Sequence, residues 1–223
     1  MGDRRTRNTP TFSENVCVVL VRPEHDGNIG AVARSMLNFG IYDLRVIGRS
    51  GDWSEEARRR AKNAQQVLDS AKIVDTIEES VSDCSLVVGT SGKREEGEKT
   101  VRRHFLLPDE LPKRLSEHEG RVAIVFGPEG KGLLNEQLSM CDLLVTIPTW
   151  EGYPILNLSH AVSIICFSWF VNSETAQTSG TGGRLLNPKL RDKLRSEAKR
   201  LVESMPTKEH KRNGIEDTLL RVL

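Results

Sequence analysis

Three stretches of the 223-residue chain carry residue types that could handle a ligand. Glu24-His25-Asp26-Gly27-Asn28-Ile29-Gly30 offers a side-chain amide at Asn28 and leads into a helix that carries Arg34 one turn beyond Gly30. It is not G-x-G-x-x-G, so the dinucleotide fingerprint is absent, and its Gly27-x-x-Gly30 match to a K-homology loop has the wrong βα context. Gly127-Pro128-Glu129-Gly130-Lys131-Gly132 spaces its outer glycines as a P-loop does, yet Leu133-Leu134 stands where Lys-Ser/Thr must hold phosphate and magnesium. A nucleotide triphosphatase is therefore disfavoured. Three glycines within six residues still let the backbone approach a ligand closely with Glu129 beside it, although a plain turn has the same composition. The third stretch is Ile147-Pro148-Thr149 followed by Tyr153-Pro154-Ile155-Leu156-Asn157-Leu158-Ser159, where Asn157 and Ser159 suit ligand contacts or a helix N-cap.

Each stretch follows an apolar run that reads as a buried strand: Val16 to Val21, Val122 to Phe126, and Leu143 to Ile147. Further strands are expected at Leu44 to Ile47, Lys72 to Val74 and Leu86 to Gly89. Helices are expected at Asn28 to Leu37, from a Ser54 N-cap to Lys62, at Thr76 to Val81, and near Pro108 to Leu115. Continuous apolar strands alternating with helices predict an α/β fold, a mostly parallel sheet covered by helices on both faces. Ligands of such sheets bind beyond the carboxyl ends of the strands.

Leu158 to Val171 is apolar nearly all round, which predicts burial against the sheet and against a partner. Asn172 to Gly183 reads as a polar linker. The expected organisation is thus one domain over 1–171, a linker over 172–183, and a helical extension over 184–223 with helices at about Pro188 to Met205 and Lys208 to Val222.

With 37% apolar and 28% charged residues the composition is that of a soluble globular protein. No run approaches the ~20 apolar residues of a membrane span, and the polar start lacks the apolar region of a signal peptide. A cytoplasmic location is the expectation. Cys17, Cys84, Cys141 and Cys166 form no C-x-x-C pair, so reduced, buried thiols are expected in place of a zinc ribbon or redox motif. The net charge of +1 hides an asymmetry: 11 Lys and Arg against 6 Asp and Glu give residues 184–223 a net +5, leaving −4 for residues 1–183. Such a tail meets a polyanion or presents a solvated basic face.

Taken in order, N-I-G-A-x-A-R, F-G-P-E-G-x-G-L and I-P-T followed by L-N-L-S-x-A-V resemble the three motifs of the SpoU class of SPOUT RNA 2′-O-ribose methyltransferases, over residues 16–171. The downstream tail ending K-R-N-G-I-E-D-T-L-L-R-V-L is similar to that of the TrmJ-type tRNA methyltransferases. The resemblance implies a C-terminal trefoil knot, a homodimer, and S-adenosylmethionine as cofactor with no metal. It further implies a catalytic set of Asn28, Arg34, Glu129 and Asn157. The cofactor would lie against Thr90, Ser91 and Gly92, against Gly127, Glu129 and Gly132, against Ile147 and Pro148, and against Leu156, Asn157 and Leu158. RNA would meet Arg22, Arg34, Lys93, Arg94, Arg102 and Arg103. The implied reaction is 2′-O-methylation of tRNA at anticodon-loop position 32. The alternatives are another tRNA position, rRNA, or a non-catalytic RNA-binding protein of the same fold. One departure is Ile155, where that family commonly has serine, so no serine hydroxyl is available there. Arginine's pKa above ~12 favours Arg34 as a phosphate grip that eases proton loss from the hydroxyl, and disfavours it as a base. A flavodoxin-like enzyme, the rival from outside the class, is disfavoured by the failure of both nucleotide fingerprints.

Overall fold

The computed structural model describes residues 9–92, 105–115, 118, 120–173, 188–209, 212 and 215. The VCVVLV run becomes β1 (Val16–Val21), all six residues buried, and its two faces feed different cores. Val16, Val18 and Leu20 belong to one apolar cluster; Cys17, Val19 and Val21 belong to the other. A strand buried on both faces cannot alternate polar and apolar, which is why the run is continuous.

Around β1 stand β2 (Asp43–Ile47), β3 (Lys72–Val74), β4 (Leu86–Thr90), β5 (Phe105–Leu106), β6 (Val122–Phe126) and β7 (Leu143–Val145). The spatial order is β3-β2-β1-β6-β4-β7-β5, and every pairing is parallel. The first cluster is completed by α1 (Asp26–Asn38), α2 (Glu55–Ala61), α3 (Gln65–Asp69), α5 (Glu110–Arg114) and α7 (Leu158–Asn172), through Val32, Ala57, Val67, Leu111 and Ile165. Ile77 of α4 (Ile77–Ser80) and Leu138 of α6 (Asn135–Ser139) join the second. Ser54 and Thr76 cap their helices, accepting from the Ala57 and Glu79 amides at 3.3 and 3.1 Å.

Two expectations change. The Gly27 to Gly30 segment is not a loop, because α1 already begins at Asp26. A Cβ on Gly30 would stand 2.0 Å from the Ala57 carbonyl oxygen, so this glycine lets α2 lie directly on α1. The last full strand ends at Val145, two residues short of Ile147. In the single chain, helix α7 leaves Ile164, Phe167 and Val171 exposed along one side, the side that the sheet does not cover.

At the amino ends of the strands, Arg45 is only 2% exposed, hydrogen-bonded to Asp43, to Asp83 and to the Ser80 carbonyl oxygen. Arg121 joins the same two carboxylates. A guanidinium fork saturated by carboxylates can be buried where a lone charge could not. All four cysteines are free. Cys17 and Cys166 are buried as expected, while Cys84 and Cys141 are half-buried.

The chain divides into two units, Met1–Ser179 and Gly180–Leu223. In the second, α8 (Pro188–Ser204) buries Ala198 and Val202 and exposes Glu197, Lys199, Arg200 and Glu203, which makes it an amphipathic helix. Most of the linker and of the second tail helix lie outside the described residues. No described helix is long and apolar enough to cross a membrane.

Candidate active site

A cavity of about 500 Å³ opens beyond the carboxyl ends of β4, β6 and β7. Phe126, Val145, Leu133 and Leu138 give it apolar walls; Thr90, Ser91 and Gly92 line it after β4, and Gly127 to Leu134 after β6. Ile147, Pro154, Ile155, Leu156, Leu158 and Ala161 complete the lining from the last loop and α7. Apolar walls crossed by peptide groups suit a flat, partly polar ligand.

The glycine loop after β6 turns on itself. The Gly132 amide donates to the Pro128 carbonyl oxygen at 3.0 Å. A Cβ on Gly127 would meet the Gly132 carbonyl carbon at 2.2 Å, so Gly127 allows this closure. Gly132 has φ +69°, and nothing lies within 4 Å of where its Cβ would be. A ligand can therefore reach the backbone there, as it could not past a side chain.

The three sequence stretches meet through side chains. Asn157 Nδ2 donates to Asn28 Oδ1 at 3.1 Å, and Asn28 Nδ2 donates to Glu129 Oε1 at 2.7 Å. The other carboxylate oxygen, Oε2, accepts from the Glu24 amide at 2.7 Å. Burial pushes the Glu129 carboxyl up, but the donors from Asn28, Glu24 and His25 outweigh it and hold its pKa below the ordinary value. Asn157 also caps α7, its Oδ1 accepting from the Ser159 amide at 2.9 Å and from the Ser159 hydroxyl at 2.7 Å. The ligand-contact and N-cap readings of Asn157 thus resolve toward a cap that doubles as a brace between loops.

Of the residues expected to touch a cofactor, Pro148 and Asn157 do not line the cavity; the other nine do. Asn157 is turned to Asn28 and its own helix, and its side-chain groups are engaged there. Arg34 is absent from the cavity as well. It lies in a second hollow with Arg59, Arg60, Lys62, Ser159, His160 and Ser163. Helix α7 separates the two spaces, since Leu158 and Ala161 line the cavity while Ser159, His160 and Ser163 line the hollow. Arg22 is exposed at the end of β1 with φ +45°, outside both spaces. Lys93, Arg94, Arg102 and Arg103 lie outside the described residues. Sequence reasoning missed the apolar walls from Phe105, Leu134 and Leu138, and gave the cations of α2 no role.

An all-parallel α/β sheet with a glycine-loop cavity at three strand ends defines a class of α/β proteins that bind ligands beyond the carboxyl ends of their strands. Within it, residues 15–167 match the SpoU rRNA Methylase family, and the chain belongs to that family. It is 44% identical over 152 residues to the tRNA (cytidine-2′-O-)-methyltransferase TrmJ of Methanocaldococcus jannaschii, covering 68% of this chain and 66% of that one. The tRNA (cytidine/uridine/adenosine-2′-O-)-methyltransferase TrmJ of Pseudomonas aeruginosa is 38% identical over 69% of this chain and 60% of its own. The chain thus spans less than two thirds of the length of these curated relatives. The crystal structure of TrmJ from Z. mobilis ZM4 superposes with a TM-score of 0.64 at 27% identity, over 93% of this chain and 89% of the other.

Proposed function

We propose that this protein transfers a methyl group from S-adenosylmethionine to a ribose 2′-hydroxyl of tRNA, at position 32 of the anticodon loop. The observation that carries the reading is the cavity beside the Asn157–Asn28–Glu129 chain, which draws on all three sequence stretches. Its residues fit the cofactor: apolar walls for a purine ring, peptide groups after β4 and β7 for its polar edges, and the open approach at Gly132 for the ribose or methionine arm. When bound, S-adenosylmethionine supplies an electrophilic methyl on a sulfonium.

The protein's own contribution is positioning, because an in-line displacement gains most from holding oxygen, methyl and sulfur in line. The Glu129–Asn28–Asn157 chain keeps the loops in register. Arg34 grips the phosphate beside the target ribose, and its charge lowers the cost of losing the hydroxyl proton. Since α7 stands between Arg34 and the cavity of its own chain, Arg34 serves the cavity of a second copy. The exposed Ile164, Phe167 and Val171 stripe of α7 is the surface proposed to join the two.

The trefoil threading of the last strands belongs to the same proposal, supported by β4 lying between β6 and β7 in the sheet. So do a cytoplasmic location, an RNA-binding role for residues 184–223 with their net +5, and the 1–171, 172–183 and 184–223 division.

Calorimetry with S-adenosylmethionine, followed by ribose-methylation mapping of tRNA and rRNA from a deletion strain, tests the reading. It requires cofactor binding and one lost 2′-O-methyl mark in tRNA. No cofactor binding, or a lost mark confined to rRNA, would overturn it.

A further inference from the structure

The hollow on the far side of α7 gathers, beside Arg34, cations that the proposed chemistry does not use. Arg34 comes from α1, Arg59, Arg60 and Lys62 from the end of α2, and His160 from α7; no Asp or Glu lines it. Arg60 is tied to Glu56 at 2.9 Å. Arg34, Arg59 and Lys62 make no ion pair among the described residues. Unpaired cations converging on one concavity repel each other, so their crowding favours an anionic occupant.

Lys62 adds an independent sign. It ends α2 at φ +52°, backbone that glycine adopts without cost and lysine does not. A lysine at such a position strains the backbone, and its side chain lines the hollow.

We propose that this hollow is a phosphodiester-binding site that takes the sugar-phosphate backbone of the RNA substrate, with Arg59, Arg60 and Lys62 gripping phosphates next to the one Arg34 holds. The inference rests on the reading of the protein as an RNA methyltransferase and extends its substrate contact onto α2. An RNA backbone fits better than an acidic peptide. Its charges are regularly spaced phosphates with two free oxygens each, matched to guanidinium forks, and Asn38 and the Ser35–Ser163 hydroxyl pair, which keeps one proton free, supply the neutral donors that phosphate and sugar contacts commonly recruit. The α1–α7 side is closed by Ser35 and Ser163, whose hydroxyls lie 2.6 Å apart.

The test compares the full chain with Arg59→Gln, Lys62→Gly and the double variant. Binding of an unmodified tRNA transcript and of poly(U) is followed by fluorescence anisotropy across salt. Each lost phosphate contact should reduce the slope of log affinity against log salt by about 0.7 to 0.9. KM for tRNA should rise with the lost affinity, and S-adenosylmethionine affinity should not change. Lys62→Gly separates use from structure: relief of the strained backbone should hold or raise the melting temperature while RNA binding weakens. A double variant that melts as the parent does, with the same salt slope and KM, would overturn the site. Poly-glutamate binding as tight as poly(U) at matched charge would overturn the choice of RNA. Should the parent transfer no methyl group to RNA while the double variant still loses poly(U) affinity, the methyltransferase reading falls and the phosphate site stands.

Discussion

Asn157 donates to Asn28 at 3.1 Å across 129 positions of sequence, and this one bond ties the start of α7 to the start of α1. Asn28→Ala removes this acceptor and also the donor to Glu129. We expect a loss of about 1–3 kcal/mol, read as a lower melting temperature and weaker S-adenosylmethionine binding. Asn157→Ala adds the loss of a helix cap, about 1 kcal/mol. The double variant should lose less than the two together, with a coupling of at least ~0.5 kcal/mol. Strict additivity in thermal melts would show that the bond contributes nothing.

Glu129 gives the site a pH signature. Its folded pKa lies below the ordinary value, so its contribution is complete above the unfolded carboxylate pKa, about 4.3, and fades as pH falls through the folded value. Glu129→Gln has nothing to titrate there. The stability gap between the two proteins should be constant from pH 7 to about 5 and shrink below that. Parallel melts measure the gap directly, and one that widened toward acid pH would reverse the sign.

Glycines of similar appearance should fail differently. Gly30→Ala drives a methyl group into the Ala57 carbonyl and should separate α1 from α2, giving little folded protein. Gly132→Ala meets no atom within 4 Å but strains a φ of +69° and narrows the cavity mouth. That variant should fold with a modest loss, on the order of 1 kcal/mol, and lose cofactor affinity. Soluble yield and calorimetry separate the cases.

Much of this was legible beforehand, for physical reasons that differ by element. β1 announces itself because a strand buried on both faces must be apolar throughout, and the loops at strand ends announce themselves by turn chemistry. The five-residue α3 and α6 and the two-residue β5 are too short to show a period. Gly30 reads as a ligand-loop glycine until α2 is seen lying on it. Arg45, two positions after Asp43 in β2, carries no sign of burial, since its other carboxylate partner, Asp83, is 38 residues away. Spacing placed Arg34 correctly on α1 but could not say which side of α7 it would occupy.

The thiols should differ in reactivity. Hydrogen bonding with Cys17, at an Sγ to Sγ distance of 3.6 Å, lowers the Cys84 pKa; burial opposes this and the Arg45 charge assists it. Burial pushes Cys141 up to about 11 and Cys166 up to about 12. Iodoacetamide followed by mass spectrometry at neutral pH should label Cys84 first, because the thiolate is the nucleophile. Faster labelling of Cys141 would contradict this ordering.

The position of Arg34 yields the strongest test of a shared site. Arg34→Ala should abolish methyl transfer with cofactor affinity unchanged, and Arg34→Lys should restore little, because ammonium cannot reproduce a two-pronged grip. Gly132→Phe should remove cofactor binding. Each variant alone is then inactive. If Arg34 acts on the second copy, refolding an equal mixture produces dimers in which one site has both a working cavity and a working arginine. Random pairing makes half of the dimers mixed, with one intact site of two, so about a quarter of the parent activity should return. If Arg34 served its own chain, no pairing could unite the two functions and the mixture would stay inactive. Light scattering sets the precondition: a mass near 24.9 kDa instead of twice that would remove the second copy, and with it this assignment of Arg34.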